Sequence, residues 1–382
     1  MPIDALTAPW ETLAFCLLLL VAPVVAESRA RRTPRWHVVV LAAALAGTLF
    51  AADASVAYLM AAVTALVHAI SAWRFSRTGA AALVVSALMA LGVAATVGAD
   101  QITAAFLLST VAVALRAGTM PFHVGVASLC DRAPRVQTQQ LASTIALVFI
   151  HLRFVDHHDE AIALAPIIVR FGAAAAFVAA LHSLVQRDLR GFYRSTTATH
   201  GGMVLAALGA ASLHNYAAAL LVTVSAGLAL GGLGIMIASL EERVGVVAYG
   251  RSSGRVDAFP RLAVAFALFG AASVAMPGTV GFVADDLLLH TLWMESPVGT
   301  VLMILASAML AVSTLICYSH VFLGRPASLL APDLVPRERV VAVALAALVL
   351  ILGFGPGLVL YPADAFLEVA PTPVSTPDGG SR

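Results

Sequence analysis

Two long apolar stretches of this chain are each interrupted by a Met-Pro pair with glycines nearby. The first runs from Asp100 to Cys130 and is interrupted by RAGTMPFH; the second runs from Arg261 to Met294 and is interrupted by VAMPGTVGFVADD. Proline removes a backbone donor and crowds the preceding turn, and glycine lets the chain leave helical geometry. Both stretches are therefore predicted to be helices that unwind midway.

The composition places these stretches in a membrane. Of 382 residues, 60% are hydrophobic and 11% are charged, and the mean hydropathy is +0.94. Soluble globular domains do not have this composition, and apolar runs near the length needed to cross hydrocarbon recur throughout. The predicted fold class is all-α, a polytopic membrane protein with about twelve transmembrane helices. The net charge of +1 gives no reason to expect a nucleic-acid partner.

Unwound backbone at membrane depth survives only where it is buried in protein or faces water, so two matched breaks indicate a transport site. The predicted segments are about 11–26, 36–53, 56–73, 80–97, 102–130 (broken), 137–154, 161–184, 196–212, 216–240, 262–294 (broken), 299–323 and 339–361.

The loops between the predicted segments alternate between basic and acidic. Arginines follow every second segment, and acidic residues collect in the other loops. Because short cytoplasmic loops collect positive charge, both termini are predicted to be non-cytoplasmic, with loops 187–194 and 243–261 inside. The chain is thus expected to be a multi-pass protein of the cell inner (cytoplasmic) membrane.

The broken helices are the fifth and tenth segments. This odd spacing makes the second set of five helices enter the membrane from the opposite side, which gives an inverted repeat. The predicted organisation is an N-terminal anchor and basic loop (1–35), a first five-helix repeat (36–154), a second five-helix repeat (161–323), a loop and final transmembrane helix (324–361) and a flexible tail (362–382).

Four stretches carry motifs in a fixed order. They are LRAGTMPFHVGVASLCDRAPRVQTQQLAS from Leu115, LVQRDLRGFYRSTTATHGGMVLAALG from Leu184, FGAASVAMPGTVGFVADDLLLH from Phe269 and STLICYSHVFLG from Ser313. Together they resemble the antiporter-like membrane subunits shared by respiratory complex I, membrane-bound hydrogenases and multisubunit cation/proton antiporters. The resemblance implies a proton half-channel in each unit, a central polar axis, and a hetero-oligomeric complex with other membrane and peripheral subunits.

The chain departs from this family in its basic residues. All 22 basic residues are arginine, and Arg116 occupies the position of the family's key lysine. Arginine does not lose its proton, so Arg116 is expected to act as a fixed charge and not as a relay. The third segment carries His68 but no carboxylate where the resemblance implies a glutamate.

Ionisable residues inside apolar segments are the candidates for ion translocation, because a charge at the bilayer centre costs about 2.5 to 3.5 kcal/mol. The resemblance aligns Asp285 with an acidic position of the second broken helix. Neighbouring helical positions point about 100° apart, so one of Asp285 and Asp286 can face the axis while the other caps the restarted helix; alternatively, both cap it. The full candidate set is Arg116, His123, Arg170, His200, Asp285, Asp286 and His290.

The other candidates have weaker local support. His290 lies one turn beyond Asp286, His123 has the family's Pro-x-His placement, and His200 follows a Ser/Thr-rich run. Arg170 carries a charge inside an apolar segment and needs a carboxylate, carbonyl or water partner. A structural salt bridge and a role in transport are equally open for it. The histidines His68, His151, His182 and His320 lie on apolar faces and are predicted to be hydrogen-bonded core residues.

No zinc-ligand spacing, phosphate loop, dinucleotide motif or nucleophile elbow occurs, so the chain alone is expected to bind no cofactor or metal and to contain no catalytic site. The expected function is an ion-translocating subunit for protons or Na⁺, coupled to an energy-supplying partner as in NADH-quinone oxidoreductase-like translocases. Two alternatives remain open: a non-conducting membrane scaffold, and a membrane partner of a zinc-dependent inorganic-carbon uptake protein.

Overall fold

The computed structural model describes residues 7–27, 35–99, 101–154, 159–211, 216–249, 254–324 and 331–357. These ranges form fourteen α-helices, which confirms the all-α prediction. In chain order they are α1 (Thr7–Ala26), α2 (Arg35–Phe50), α3 (Ala54–Trp73), α4 (Arg77–Gly98), α5 (Ile102–Ala117), α6 (Val124–Arg132), α7 (Pro134–Phe154), α8 (Asp159–Ser183), α9 (Leu189–Ala211), α10 (Tyr216–Val244), α11 (Pro260–Ser273), α12 (Val280–Glu295), α13 (Pro297–Phe322) and α14 (Pro336–Phe354). The predicted tail 362–382 lies outside the described residues.

Both predicted breaks are present. The first separates α5 from α6, and the second separates α11 from α12. Gly118 ends α5 with φ 77°, and Gly278 in the second break has φ 89°, a left-handed conformation that glycine adopts without steric cost. The half-helices α11 and α12 pack tightly, because a Cβ added at Gly281 would lie 2.2 Å from the carbonyl oxygen of Ala272.

Six described helices are long and apolar enough to cross a membrane by themselves: Pro9–Ala26, Ala54–Trp73, Arg77–Gly98, Ala163–Ser183, Tyr216–Val244 and Pro297–Phe322. The half-helices Ile102–Ala117 and Pro260–Ser273 are shorter and apolar, as an interrupted span requires. The chain is a multi-pass membrane protein, and the total of twelve spans stays a prediction.

Two boundaries differ clearly from the sequence prediction: the end of α14, at Phe354 and not near residue 361, and the start of α9. The ninth helix begins at Leu189 and not near residue 196, because its polar first turn is held by ion pairs. Arg190 donates to Glu241 at 2.8 Å, and Arg194 donates to Asp131 at 2.8 Å. Charged partners at this end therefore stabilise a helical turn that hydropathy alone assigns to a loop.

Three helices form the interior of the bundle. Nearly every residue of α7, α9 and α10 is buried, including the polar side chains of α7 and α9. By contrast, α4, α8 and α13 expose apolar faces that suit contact with lipid or a neighbouring subunit. The two breaks lie beside this interior: Thr119 and Thr279 are buried, whereas the side chains of Phe122 and Met276 are 38% and 55% exposed.

Candidate functional site

The Arg116 side chain is 1% exposed, and its hydrogen bonds connect three helices to the first break. Its Nε donates to Ser86 Oγ of α4 at 3.0 Å, and its two terminal nitrogens donate to the carbonyls of Ala61 (2.6 Å) and Ser143 (3.2 Å) and to Thr64 Oγ1 (3.4 Å). None of the ion pairs found among the described residues includes Arg116. A buried positive charge is thus held by neutral oxygens only.

Helix α7 also supplies donors to this break. The backbone carbonyl of Arg116 accepts from Gln140 Nε2 at 3.2 Å and from Thr144 Oγ1 at 3.5 Å. This carbonyl lies in the last turn of α5, where the break removes its usual helical partner. The polar face of α7 therefore stabilises the break at membrane depth.

Helix α9 contacts both breaks through consecutive residues. Thr119 Oγ1, in the first break, donates to the Gly201 carbonyl at 2.8 Å. His200 Nδ1 lies 2.9 Å from the Thr196 carbonyl, and the ring also contacts the backbone of Ser273, the last residue before the second break. Helix α9 thus connects the two breaks through polar contacts.

Gly201 lets α9 approach the first break closely. A Cβ at this position would lie 2.6 Å from the Ala117 carbonyl oxygen and 2.8 Å from the Thr119 nitrogen, and backbone atoms cannot move aside cheaply. We expect Gly201→Val to destabilise the protein by about 1 to 3 kcal/mol or more, the usual range for overpacking. Thermal unfolding of the purified variant measures this loss.

The matched control is Gly98→Val at the end of α4, where an added Cβ meets nothing within 4 Å. It should unfold close to the wild-type temperature. Equal unfolding temperatures for both variants would show that α9 does not pack closely against the first break.

Asp285 is the acidic residue that the second break directs inward. It is half-buried, and Ser307 Oγ of α13 donates to its Oδ2 at 3.2 Å. Asp286 and His290 are exposed on the outer face of α12. The expectation that either aspartate caps the restarted helix is wrong, because the N-cap is Thr279 and the first turn contains no acidic residue.

His123 lies at the end of the first break near α8 and α9. It is half-buried, its Nδ1 has no hydrogen-bond partner among the described residues, and His182 and Arg194 lie within electrostatic range. His182 Nδ1 in turn lies 3.3 Å from Ser195 Oγ, one helical turn before the Thr199–His200 pair. These groups form a polar run along α9 toward His200.

Arg170 is not brought to this site, because its side chain is exposed on the outer face of α8. The structure therefore places Arg116 against α7, His123 and His200 along α9, and Asp285 against α13, while Arg170, Asp286 and His290 point outward. Sequence reasoning missed the partners Thr119, Gln140, Ser273 and Ser307. No group of three or more His, Cys, Asp or Glu side chains in the described ranges is arranged to hold a metal ion.

Comparison with known proteins assigns the chain to a family. Residues 10–312 match the family model described as NADH:quinone oxidoreductase/Mrp antiporter, TM. NADH-quinone oxidoreductase subunit M of Escherichia coli K12 is 25% identical over 258 residues, which cover 65% of this chain and 51% of that protein. A chloroplastic NAD(P)H-quinone oxidoreductase chain 4 from Cryptomeria japonica is 22% identical over 276 residues, covering 68% of this chain and 55% of that protein. The chain thus spans about half the length of the curated relatives it matches.

Solved structures share the fold. A chain of respiratory complex I from Thermus thermophilus with bound NADH superposes with a TM-score of 0.82 at 19% identity, over 95% of this chain and 84% of that chain. A chain of the Mrp complex from Dietzia sp. DQ12-45-1b gives a TM-score of 0.75 at 18% identity, over 95% and 82%. With its two broken helices and this family match, the chain belongs to the family of transmembrane subunits of NADH:quinone oxidoreductases and Mrp antiporters.

Proposed function

We propose that the chain is an ion-translocating membrane subunit that moves protons or Na⁺ within a hetero-oligomeric complex, driven by a partner that supplies energy. The observation that carries this proposal is the contact of α9 with both breaks, through Thr119 and Gly201 on one side and His200 and Ser273 on the other. Polar groups and unwound backbone at membrane depth are tolerated where protein or water satisfies their hydrogen bonds, as along a transport path.

The relatives support the same proposal, since the names of the matched proteins are those of subunits of oxidoreductase and antiporter complexes. In the proposed organisation, residues 36–154 and 161–323 are two inverted five-helix units, each with one broken helix. Arg116 is the fixed charge of the first unit, and His200 and Asp285 are the titrating groups of the second. His123 joins the polar run that leads to His200.

The test is ion movement in vesicles that contain the complete complex, purified through this chain. When its energy source is added, the complex should move protons or Na⁺ into the vesicles. The same complex assembled without this chain should lose at least part of that ion movement. Unchanged ion movement without the chain would support the scaffold reading. Co-purification of a large zinc protein of carbonic-anhydrase type would support the inorganic-carbon reading.

The proposed orientation in the inner membrane makes a separate prediction. The positive-inside rule places both termini outside the cytoplasm and the ends of α9 and α10 near Arg190 and Arg243 inside. We expect a reporter fused after Val246 to show cytoplasmic activity and one fused after Glu295 to show external activity. The reverse result for both fusions would invert the whole orientation, and the same location for both would break the inverted repeat.

A further inference from the structure

Seven helices begin or end around an open cavity on the side that the proposed orientation places in the cytoplasm. They are α1, α2, α3, α6, α7, α9 and α10, and the cavity between their ends has a volume of about 950 Å³. Pockets that hold small molecules have volumes of about 300 to 1,000 Å³, so this cavity is large enough for a bound molecule. None of the candidate residues for ion translocation lines it.

The wall of the cavity carries an excess of positive charge. Four arginines and three glutamates of the described part line it, so positive charge exceeds negative charge by one. Arg190 pairs with Glu241 at 2.8 Å, and Arg135 pairs with Glu242. These two pairs neutralise themselves, and they leave two other arginines at the wall.

The two remaining arginines are Arg74 and Arg132. Both side chains are exposed, and neither belongs to an ion pair found in the described ranges. The carboxylate next to Arg132 in sequence, Asp131, is already paired with Arg194 at 2.8 Å. A guanidinium group presents several donors in a planar fork that matches the oxygens of a phosphate. Arg74 and Arg132 therefore suit an anionic phosphate group in the cavity.

Large apolar side chains line the same cavity. Trp36, Ile70 and Phe75 are each half exposed or more. A soluble anion gains nothing from such a wall, whereas an exposed apolar patch marks a surface that contacts lipid or a partner. Tryptophan at the level of the helix ends is also typical of the boundary between membrane and water.

The apolar surface continues from the cavity along the outer faces of α2 and α3. Val40 lies one turn after Trp36 on α2, and Leu66 and Leu59 lie one and three turns before Ile70 on α3; all of these side chains are exposed. Residues about four apart share one face of a helix, and α2 packs against α3. The surface therefore accommodates an acyl chain that starts at the cavity and extends to membrane depth.

We propose that the cavity binds one anionic phospholipid of the cytoplasmic leaflet, with its phosphate against Arg74 and Arg132 and its acyl chains along α2 and α3. Basic side chains at the cytoplasmic surface attract anionic lipid, so the site prefers an anionic headgroup to a zwitterionic one. A peripheral protein in the cytoplasm cannot reach Leu59 and Leu66 at membrane depth, which favours lipid as the occupant. This site does not depend on ion translocation, and only the choice of leaflet rests on the proposed orientation.

Tryptophan fluorescence of the full chain in detergent micelles tests the bound lipid. The four tryptophans are Trp10, Trp36, Trp73 and Trp293, and a variant that keeps only Trp36 emits at the cavity. Phosphatidylglycerol brominated on its acyl chains should quench Trp36 at a roughly tenfold lower lipid fraction than brominated phosphatidylcholine does, because of the two arginines. A variant that keeps only Trp293, on α12, is the control and should show no preference between the two lipids.

Replacing the two arginines tests the headgroup contact. Arg74→Gln combined with Arg132→Gln in the chain that keeps only Trp36 should remove the preference for phosphatidylglycerol. The matched control is Arg77→Gln combined with Arg187→Gln, which removes two exposed arginines of the same side that do not line the cavity, and it should keep the preference. Thermal unfolding checks that all variants are folded.

Native mass spectrometry of the complete complex gives a second measurement. The complex with wild-type arginines should retain one more phosphatidylglycerol than the complex with Arg74→Gln and Arg132→Gln. Equal numbers would show that a neighbouring subunit covers the cavity, and they overturn the inference. Equal quenching of Trp36 by both lipids also overturns it, as does competition by excess inorganic phosphate, which would identify a site for a soluble anion.

Discussion

Asp285→Asn should leave the complex assembled and abolish its ion movement. Asparagine has nearly the same shape and can still accept the 3.2 Å hydrogen bond from Ser307, so packing between α12 and α13 is preserved. It cannot bind or release a proton or carry the negative charge that attracts a cation. The rate should fall roughly 100-fold or more, since positioned proton-transfer groups contribute about that factor. Proton or Na⁺ flux into vesicles measures the loss.

Asp286→Asn is the matched control, one residue further along the same helix. Asp286 is exposed on the outer face of α12 and makes no cap to its first turn. Its replacement should therefore keep at least half of the wild-type flux. If Asp285→Asn transports at the wild-type rate in an assembled complex, the translocation proposal fails at its main residue, and the scaffold reading becomes the one to pursue.

The positions of the two breaks could be predicted because their causes are local. Proline and glycine act on the backbone of their own turn, and Met120-Pro121 and Met276-Pro277 lie within the two breaks that the structure shows. The start of α9 could not be predicted, because the ion pairs that hold it reach Glu241 and Asp131 on other elements.

The inward-facing aspartate could be chosen only through the family resemblance, which aligns Asp285 with an acidic position of the second broken helix. The hydrophobic residues of α12 favour no single face, so the helical pattern alone does not show which of two adjacent carboxylates faces α13. The same limit explains Arg170 and His290, which carry charge or polarity at membrane depth but point outward in the isolated chain. Their orientation is set by the packing of α8 and α12 against neighbouring helices.

His200 and His68 share one local pattern, and His68 is the buried, hydrogen-bonded residue that the sequence predicts. His200 was recognisable because Ser195, Thr196 and Thr199 precede it, whereas His68 has mostly apolar neighbours in sequence and was predicted to be a core residue. Each is preceded by a threonine four residues earlier. The carbonyl oxygen of that threonine lies within hydrogen-bond distance of Nδ1 in both helices. That spacing is visible in the sequence, but the second backbone contact of each ring, with Gln139 for His68 and with Ser273 for His200, is not.

Arg116→Ala should abolish ion movement and also destabilise the protein. The substitution removes four hydrogen bonds that connect α5 to α3, α4 and α7, and a hydrogen bond from a charged group contributes about 1.5 to 3 kcal/mol. The carbonyl of Ala61 keeps its hydrogen bond from Thr64 Oγ1 at 2.7 Å. It also removes the positive charge beside His68. Thermal unfolding of the purified complex and vesicle flux measure the two losses separately. Arg77→Ala, which replaces an exposed arginine stacked over Trp73, should change neither by a measurable amount.

Arg116→Lys separates the charge from the geometry. A lysine keeps the positive charge and three donors, but it lacks the planar fork that lets arginine reach α3, α4 and α7 at the same time. We expect it to retain part of the flux and to unfold between the wild-type and alanine variants. Full flux in Arg116→Ala would show that Arg116 has a packing role only and is not needed for transport. Flux in Arg116→Lys as low as in alanine would show that the hydrogen bonds to three helices, and not the charge, are what transport requires.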